Sequence, residues 1–326
     1  MSRRHALMLL ALASLWGASF MFIKIGVREL HPTVLVCLRL GIGALTLAPL
    51  LLVRVGVRES ARQMRRWLWP LVLTGLVNSA IPIVSISWAE KRIDSGLTAV
   101  IQAAAPLFTA LLALFFVRSE RVRGLRLVGL VVGFGGVALL VGAQPSGDLT
   151  AALAVVFAAL CYAVAALYGA RRLRDVPPLV SSFGALAAAT LALLPLALTH
   201  LPAHFPSWEV TGAVLALAIG GTGVAYLLYY ALLAGAGASR SILVTYLVPA
   251  LALAYGAIFL GEPLTAPALV GLALVLGGVA LGTGAVGAAR RRASLERWAQ
   301  RGSGEPSLAT STSSSSSRAT TTSTRS

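Results

Sequence analysis

The chain has 326 residues, of which 57% are hydrophobic and only 12% charged, with 27 basic side chains against 11 acidic ones. Soluble domains carry about a quarter charged residues, and a nucleic-acid-binding domain spreads basic charge over its folded surface. Long stretches here carry no charge at all, which excludes both classes and leaves a polytopic membrane protein, because so many long apolar runs cannot all be buried in a chain of this size.

Apolar runs bounded by charge, Pro or Gly predict ten spans. In chain order they are 6–23, 33–53, 68–89, 96–117, 125–143, 149–170, 178–199, 209–234, 241–260 and 266–287. The first follows Ser2-Arg3-Arg4 and contains Ala11-Leu12-Ala13, a small-x-small pattern of the kind cleaved from leaders. Its apolar run continues to Ile23, so it reads as a spanning helix instead. Cys37 and Cys161 both lie inside apolar runs, and no disulfide framework is expected. No connection exceeds 14 residues, too short for a soluble catalytic domain. Residues 288–326 open on Arg290-Arg291-Arg292 and end in a Ser/Thr tract, which predicts a disordered basic tail.

Basic residues set an orientation. With the N-terminus inside, 22 of them fall on the cytoplasmic side, among them Arg54, Arg58, Arg62, Arg65 and Arg66 after the second span and Arg118, Arg121, Arg123 and Arg126 after the fourth. Only four, Lys24, Arg28, Lys91 and Arg92, fall outside, and Arg39 lies within the second span. Both termini are therefore expected in the cytoplasm.

The chain also repeats itself. Val128-Gly129-Leu130 recurs as Val270-Gly271-Leu272, and Gly135 to Leu139 recurs as Gly277 to Leu281. Nine of fifteen positions agree between 128–142 and 270–284. Pro106 pairs with Pro249, and Trp16 with Tyr162, at nearly the same offset. The halves, 6–143 and 149–287, hold five predicted helices each. Five is odd, so the second copy enters the membrane with the opposite orientation. The predicted fold is thus all-α, with ten transmembrane helices as two inverted five-helix repeats. Such repeats are a signature of secondary transporters, with a site near the midplane.

Particular residues carry a resemblance. Leu15-Trp16-Gly17-Ala18-Ser19-Phe20 with Ile23-Lys24, then Leu38-Arg39, then Ala105-Pro106-Leu107-Phe108-Thr109-Ala110-Leu111-Leu112 followed by Glu120, resemble an EamA-type transporter of the drug/metabolite transporter superfamily. The Gly-Gly-Val-Ala-Leu ends of both repeats fit it as well, and the resemblance covers about residues 6–287. It implies a ten-helix inverted-repeat fold around a central cavity, and transport, often export, of amino acids or other small metabolites across the cytoplasmic membrane. The second copy departs from the pattern, with Tyr162-Ala163 where a Trp-Gly pair would stand.

Polar and aromatic residues inside spans need partners and are expected to face the bundle or a wet cavity. Helical spacing puts Asn78, Ser85 and Trp88 on one face. Gln102, Thr245, Tyr246, Tyr226, Tyr230, Trp16, Tyr162 and Ser19 complete the neutral cavity candidates. The competing reading is ordinary packing: hydroxyls bond back to their own helix, and aromatics pack or sit in the interface belt. Arg39 lies roughly 9 Å into its span at 1.5 Å per residue, either snorkelling to the surface or offering a fixed charge to a substrate carboxylate. Pro106 and Pro249 each break a helical hydrogen bond and are candidate hinges. Glycines of the fifth and tenth spans suit close helix packing within the chain or a homodimer face.

Absences narrow the mechanism. There is no Walker sequence, and Lys24 and Lys91 are the only lysines. Glu90, Glu120, Glu209 and Glu262, like His5, His31, His200 and His204, sit at span ends. A facilitator, an exchanger or a carrier coupled at the cavity mouth is expected, with a small-molecule substrate, the lipid bilayer as surroundings, and no cofactor, metal or nucleic acid. The alternatives are an intramembrane enzyme, for which no catalytic motif is present, and a scaffold or sensor subunit lacking a path.

Overall fold

The structure, a computed structural model, describes residues 2–116, 124–142 and 148–282. These are helical, with no strand among them: α1 (Arg3–Gly26), α2 (Pro32–Arg54), α3 (Val57–Arg66), α4 (Leu68–Ala89), α5 in two pieces (Ser95–Gln102 and Ala105–Phe116), α6 (Leu125–Gly142), α7 (Leu149–Arg172), α8 (Pro178–Leu198), α9 (Trp208–Ala236), α10 (Val244–Leu260) and α11 (Ala266–Gly282). Among the described residues eight helices are long and apolar enough to cross a membrane, and the apolar α10 and α11 are shorter at 17 residues each. The chain is thus a polytopic helical membrane protein. The predicted tail 288–326, Glu120 and the last residues of the tenth predicted span lie outside the described residues.

One expectation is corrected. The 14 residues after the second predicted span, 54–67, were expected to be a connection, but they contain α3. Gly56 turns the chain into it with φ 84°, a left-handed conformation open to glycine. Arg58, Arg62, Arg65 and Arg66 are exposed on α3, Ser60 faces inward, and Glu59 accepts from Gln63 at 2.8 Å. Spanning-length hydropathy cannot reveal so short a helix, whose polar face belongs at the interface.

Helix starts follow local chemistry. Ser2 and Ser207 cap α1 and α9, accepting from His5 N and Val210 N. Asp148 caps α7, accepting from the Thr150 hydroxyl at 2.5 Å and Ala151 N at 2.9 Å, and pairs with Arg92 at 3.2 Å. Those bonds, Thr150 first, hold the Asp148 carboxyl below its ordinary value. A depressed value means that the cap's contribution is full above the unfolded-state value and fades as pH falls through the folded one. Asp148→Ala is therefore expected to lower the midpoint of thermal unfolding by about 2 °C at pH 7, with the difference from the parent vanishing in strong acid; scans at both pH values check it.

Glycine decides the closest helix contacts. A Cβ at Gly278 on α11 would lie 2.5 Å from Gly133 N and 2.7 Å from Gly129 O on α6, and one at Gly136 would lie 2.7 Å from Leu274 Cβ. These glycines are used inside the chain, where α6 and α11 meet backbone to backbone, while Gly135 and Gly277 look onto open space. Gly17 brings α1 against α10, with its would-be Cβ 3.0 Å from Leu251 Cβ. Around the middle of the bundle, Leu35, Leu40, Leu47, Leu186 and Leu217 are fully buried or nearly so.

Candidate functional site

Three irregularities in the helices shape the middle of the bundle. α4 contains a π-helical stretch, Leu76–Ala80, and α9 contains another, Ala216–Val224. α5 is interrupted at Ala103 and Ala104, and Pro106 is the second residue of its second piece. Proline lacks an N–H, so Pro106 leaves the Gln102 carbonyl without its helical donor, and Pro249 in α10 does the same for Thr245. Segments of this kind are tolerated at membrane depth where they face protein or a wet cavity, and π turns recur at functional sites.

All of these places converge on a cavity of ≈ 780 Å³. Its polar wall includes Arg39, Asn78, Gln102, Thr222 and Thr245; its aromatic wall includes Trp16, Tyr162, Tyr226 and Tyr229. Trp16 and Tyr229 lie with ring centroids 5.7 Å apart. The Nε–H of Arg39 donates to the Thr222 hydroxyl at 3.1 Å, and Thr222 in turn donates to the Leu217 carbonyl at 3.2 Å across the π turn. Among the described residues no carboxylate forms an ion pair with Arg39, and no hydrogen bond engages the side-chain amides of Asn78 or Gln102.

Of the residues expected at such a cavity, Trp16, Ser19, Arg39, Asn78, Gln102, Tyr162, Tyr226 and Thr245 line it, as do Pro106 and Pro249. The hydroxyls of Ser19 and Thr245 are spent on their own helices, donating to Leu15 O at 2.8 Å and Ile242 O at 2.7 Å. Four others stand off the wall. Ser85 donates to Ile81 O at 2.9 Å, and the Trp88 ring lies under Arg92, 3.9 Å from its guanidinium carbon. They were grouped with Asn78 by regular helical spacing, but the π turn at Leu76–Ala80 is wider and rotates everything after it. Tyr230 turns to α8, where its hydroxyl bonds Ser182, and Tyr246 packs with the α5, α6, α7 and α11 cluster. Thr222 and Tyr229, which share a span with Tyr226 and are likewise polar or aromatic, line the cavity as well, and so does Arg126, expected only as a cytoplasmic charge. The Gly220-Gly221-Thr222-Gly223 run was the available signal for the α9 segment.

The lining runs to one end of the bundle. Ala113, Arg126, Leu167, Ile242 and Gly282 all sit near helix ends on the side that carries Arg54 and Arg171. At the opposite end it stops near Ile23, Arg39 and Ile86, beneath a layer of polar ties. Lys24 Nζ donates to the carbonyls of Glu90 at 2.6 Å and Ile93 at 2.8 Å. The Glu262 carboxylate accepts from Ser95 N at 2.7 Å, Ser95 Oγ at 2.9 Å and Gly96 N at 3.0 Å, capping α5 from the α10–α11 loop. Arg28 pairs with Glu209 at 2.9 Å, and Glu29 accepts from Ser207 N and Oγ, which hold its carboxyl below the usual range. His31 stacks on His200 at 4.0 Å, and burial, then the charges of His200 and Lys91, lower its basicity.

A bundle of membrane-length helices around a cavity that is polar, aromatic and positively charged is the architecture of a membrane carrier. The sequence profile of the EamA-like transporter family matches the chain twice, over residues 3–142 and 149–283, and the chain belongs to that family. An uncharacterized inner membrane transporter of Escherichia coli K12, YedA, is 29% identical over 280 residues, covering 84% of this chain and 89% of that protein. A protein of Streptantibioticus cattleyicolor named "Probable terminal-alkyne amino-acid exporter" is 29% identical over 274 residues, covering 82% of this chain and 89% of its own. A solved crystal structure shares the fold with a TM-score of 0.61 at 24% identity, covering 87% of this chain and 97% of the other. The protein is a multi-pass cell-membrane transporter of small metabolites; the family and its named relatives point to transport, not catalysis.

Proposed function

We propose that the protein exports amino acids or closely related small carboxylates from the cytoplasm by alternating access. In this reading ten transmembrane helices form two inverted repeats, 6–143 and 149–287, with both termini in the cytoplasm. The observation that carries the substrate class is Arg39: a guanidinium facing the cavity with no carboxylate partner among the described residues. A substrate carboxylate supplies the missing charge through short, strong hydrogen bonds. The amino group then sits against the faces of Trp16, Tyr162 or Tyr226, where a cation is attracted. The freed carbonyls of Gln102 and Thr245 and the amide of Asn78 offer it acceptors.

The cavity volume also suits a small ligand, since small-molecule pockets run about 300–1,000 Å³. The excess of basic residues at the end reached by the lining makes that end cytoplasmic under the positive-inside rule. The described arrangement is then open toward the cytoplasm and tied shut outside, and Pro106 and Pro249 supply paired hinges for the exchange. The family relation to a named amino-acid exporter supports the direction. In proteoliposomes preloaded with unlabelled amino acids, counterflow of labelled ones is expected for at least one member of a full panel. Folded protein showing no counterflow with any amino acid overturns the substrate class.

A further inference from the structure

Glu90 follows the last residue of α4 and is 0% exposed, yet among the described residues neither oxygen of its carboxyl has a hydrogen-bond partner. Among the described residues it forms no ion pair either. Its backbone is fully engaged, with the N–H donating to Ile86 O at 2.9 Å and the carbonyl accepting from Lys24 Nζ at 2.6 Å. Glu90 lies one helical turn beyond Ile86, and Lys24 is next to Ile23; both isoleucines line the cavity. The carboxyl therefore sits directly above the closed end, inside the layer of ties. Glu262, in the same layer, shows what an ionised carboxylate needs, for it accepts three hydrogen bonds.

The charged and titratable groups facing Glu90 are Lys24 from α1, Arg39 from α2 and Glu262 from the α10–α11 loop. Asp94, in the turn between α4 and α5, also faces Glu262 and Lys24. The two cations favour an ionised Glu90, whereas Glu262 opposes it; burial outweighs them all and pushes the carboxyl well above the usual range. An ionised carboxyl shut away from water without donors is far costlier than its neutral acid, which the protein can reach by taking up a proton.

We infer that Glu90 is a proton-binding site whose occupancy is tied to closure of this end of the cavity. Closed, the site holds the neutral acid. Opening admits water and frees Lys24 from the Glu90 and Ile93 carbonyls; the Glu90 O–H bond then breaks and its proton leaves to the outer solution. Closing takes one proton back. The inference rests on the alternating-access reading above, and it gives acid outer pH the effect of holding the outer side shut. One proton separates the two states, so the open-to-closed ratio rises at most about tenfold per pH unit.

The test needs no substrate. Ile83, which lines the cavity, is replaced by cysteine in a chain whose buried Cys37 and Cys161 are serine, with and without Glu90→Gln. Right-side-out vesicles are then treated with a membrane-impermeant thiol reagent across a pH series. The intrinsic pH dependence of the thiol cancels in the ratio of the two rates. The expected result is a ratio near one in acid that rises several-fold with pH, because Glu90→Gln mimics the protonated, closed form. A ratio independent of pH overturns the Glu90 site and leaves alternating access standing; no labelling of either protein at any pH overturns both. Infrared difference spectra keep the site testable should Glu90→Gln fold poorly. At neutral pH the protein is expected to show the carbonyl stretch of a protonated carboxylic acid, retained in Asp94→Asn, and its absence overturns the proposal.

Discussion

Arg39→Gln is expected to raise the apparent KM for a carboxylate-bearing amino acid about 10- to 150-fold, the loss of a charge-assisted pair worth roughly 1.5–3 kcal/mol. The guanidinium lines the cavity, and among the described residues its one hydrogen bond holds the Nε–H on Thr222. That leaves the terminal amino groups to a ligand. Arg39→Lys keeps the charge but loses both the Thr222 bond and the planar fork, so partial recovery is expected, with KM between parent and Arg39→Gln. Thr222→Val removes the anchor and keeps the charge, and should cost less than Arg39→Gln. Initial rates of counterflow in proteoliposomes measure all three. An unchanged KM in Arg39→Gln would show that the substrate's charge is met elsewhere, and the carboxylate reading would fall.

Gly278→Ala should destabilise the protein severely for the addition of one methyl group. The new Cβ would meet Gly133 N at 2.5 Å and Gly129 O at 2.7 Å, backbone atoms that cannot swing aside as a side-chain end can. Forcing α6 and α11 apart is expected to cost about 3 kcal/mol, the upper part of the overpacking range, or roughly 6–12 °C in the midpoint of thermal unfolding. Gly277→Ala, one residue away, meets nothing within 4 Å and gains helix propensity, so its midpoint should hold or rise slightly. Paired thermal scans in detergent decide the matter. Equal midpoints would mean that the α6–α11 contact contributes little to stability.

The helix positions were largely legible because a bilayer demands long apolar runs, and run length is a property of the chain read in one dimension. α1, α2, α7 and α8 match their predicted spans to within three residues at each end. The same reading passed over α3, since ten residues with four arginines carry no spanning signal. It also misplaced Ser85 and Trp88 relative to Asn78, because a constant angle per residue does not survive the π turn at Leu76–Ala80. Tyr226 and Tyr230 look equivalent along α9. Only the neighbouring Ser182 on α8 draws Tyr230 away from the cavity.

Glu90 marks the boundary between the two kinds of knowledge. Its position at the end of an apolar run was plain, and ends of spans are ordinarily wet. Yet it is fully buried, and its charged neighbours, Lys24, Arg39 and Glu262, come from α1, α2 and the α10–α11 loop, which no local window of residues contains. By itself the sequence determined that this is a membrane protein, where its long helices run, and that its basic charge is concentrated on alternate connections. Those properties are sums over neighbouring residues. The tertiary structure alone decided which polar groups meet, because the contacts join distant positions: Arg39 with Thr222, and Ser95 with Glu262. Hydrogen bonds act over about 3 Å, so partners that far apart in the chain are settled only when the helices pack.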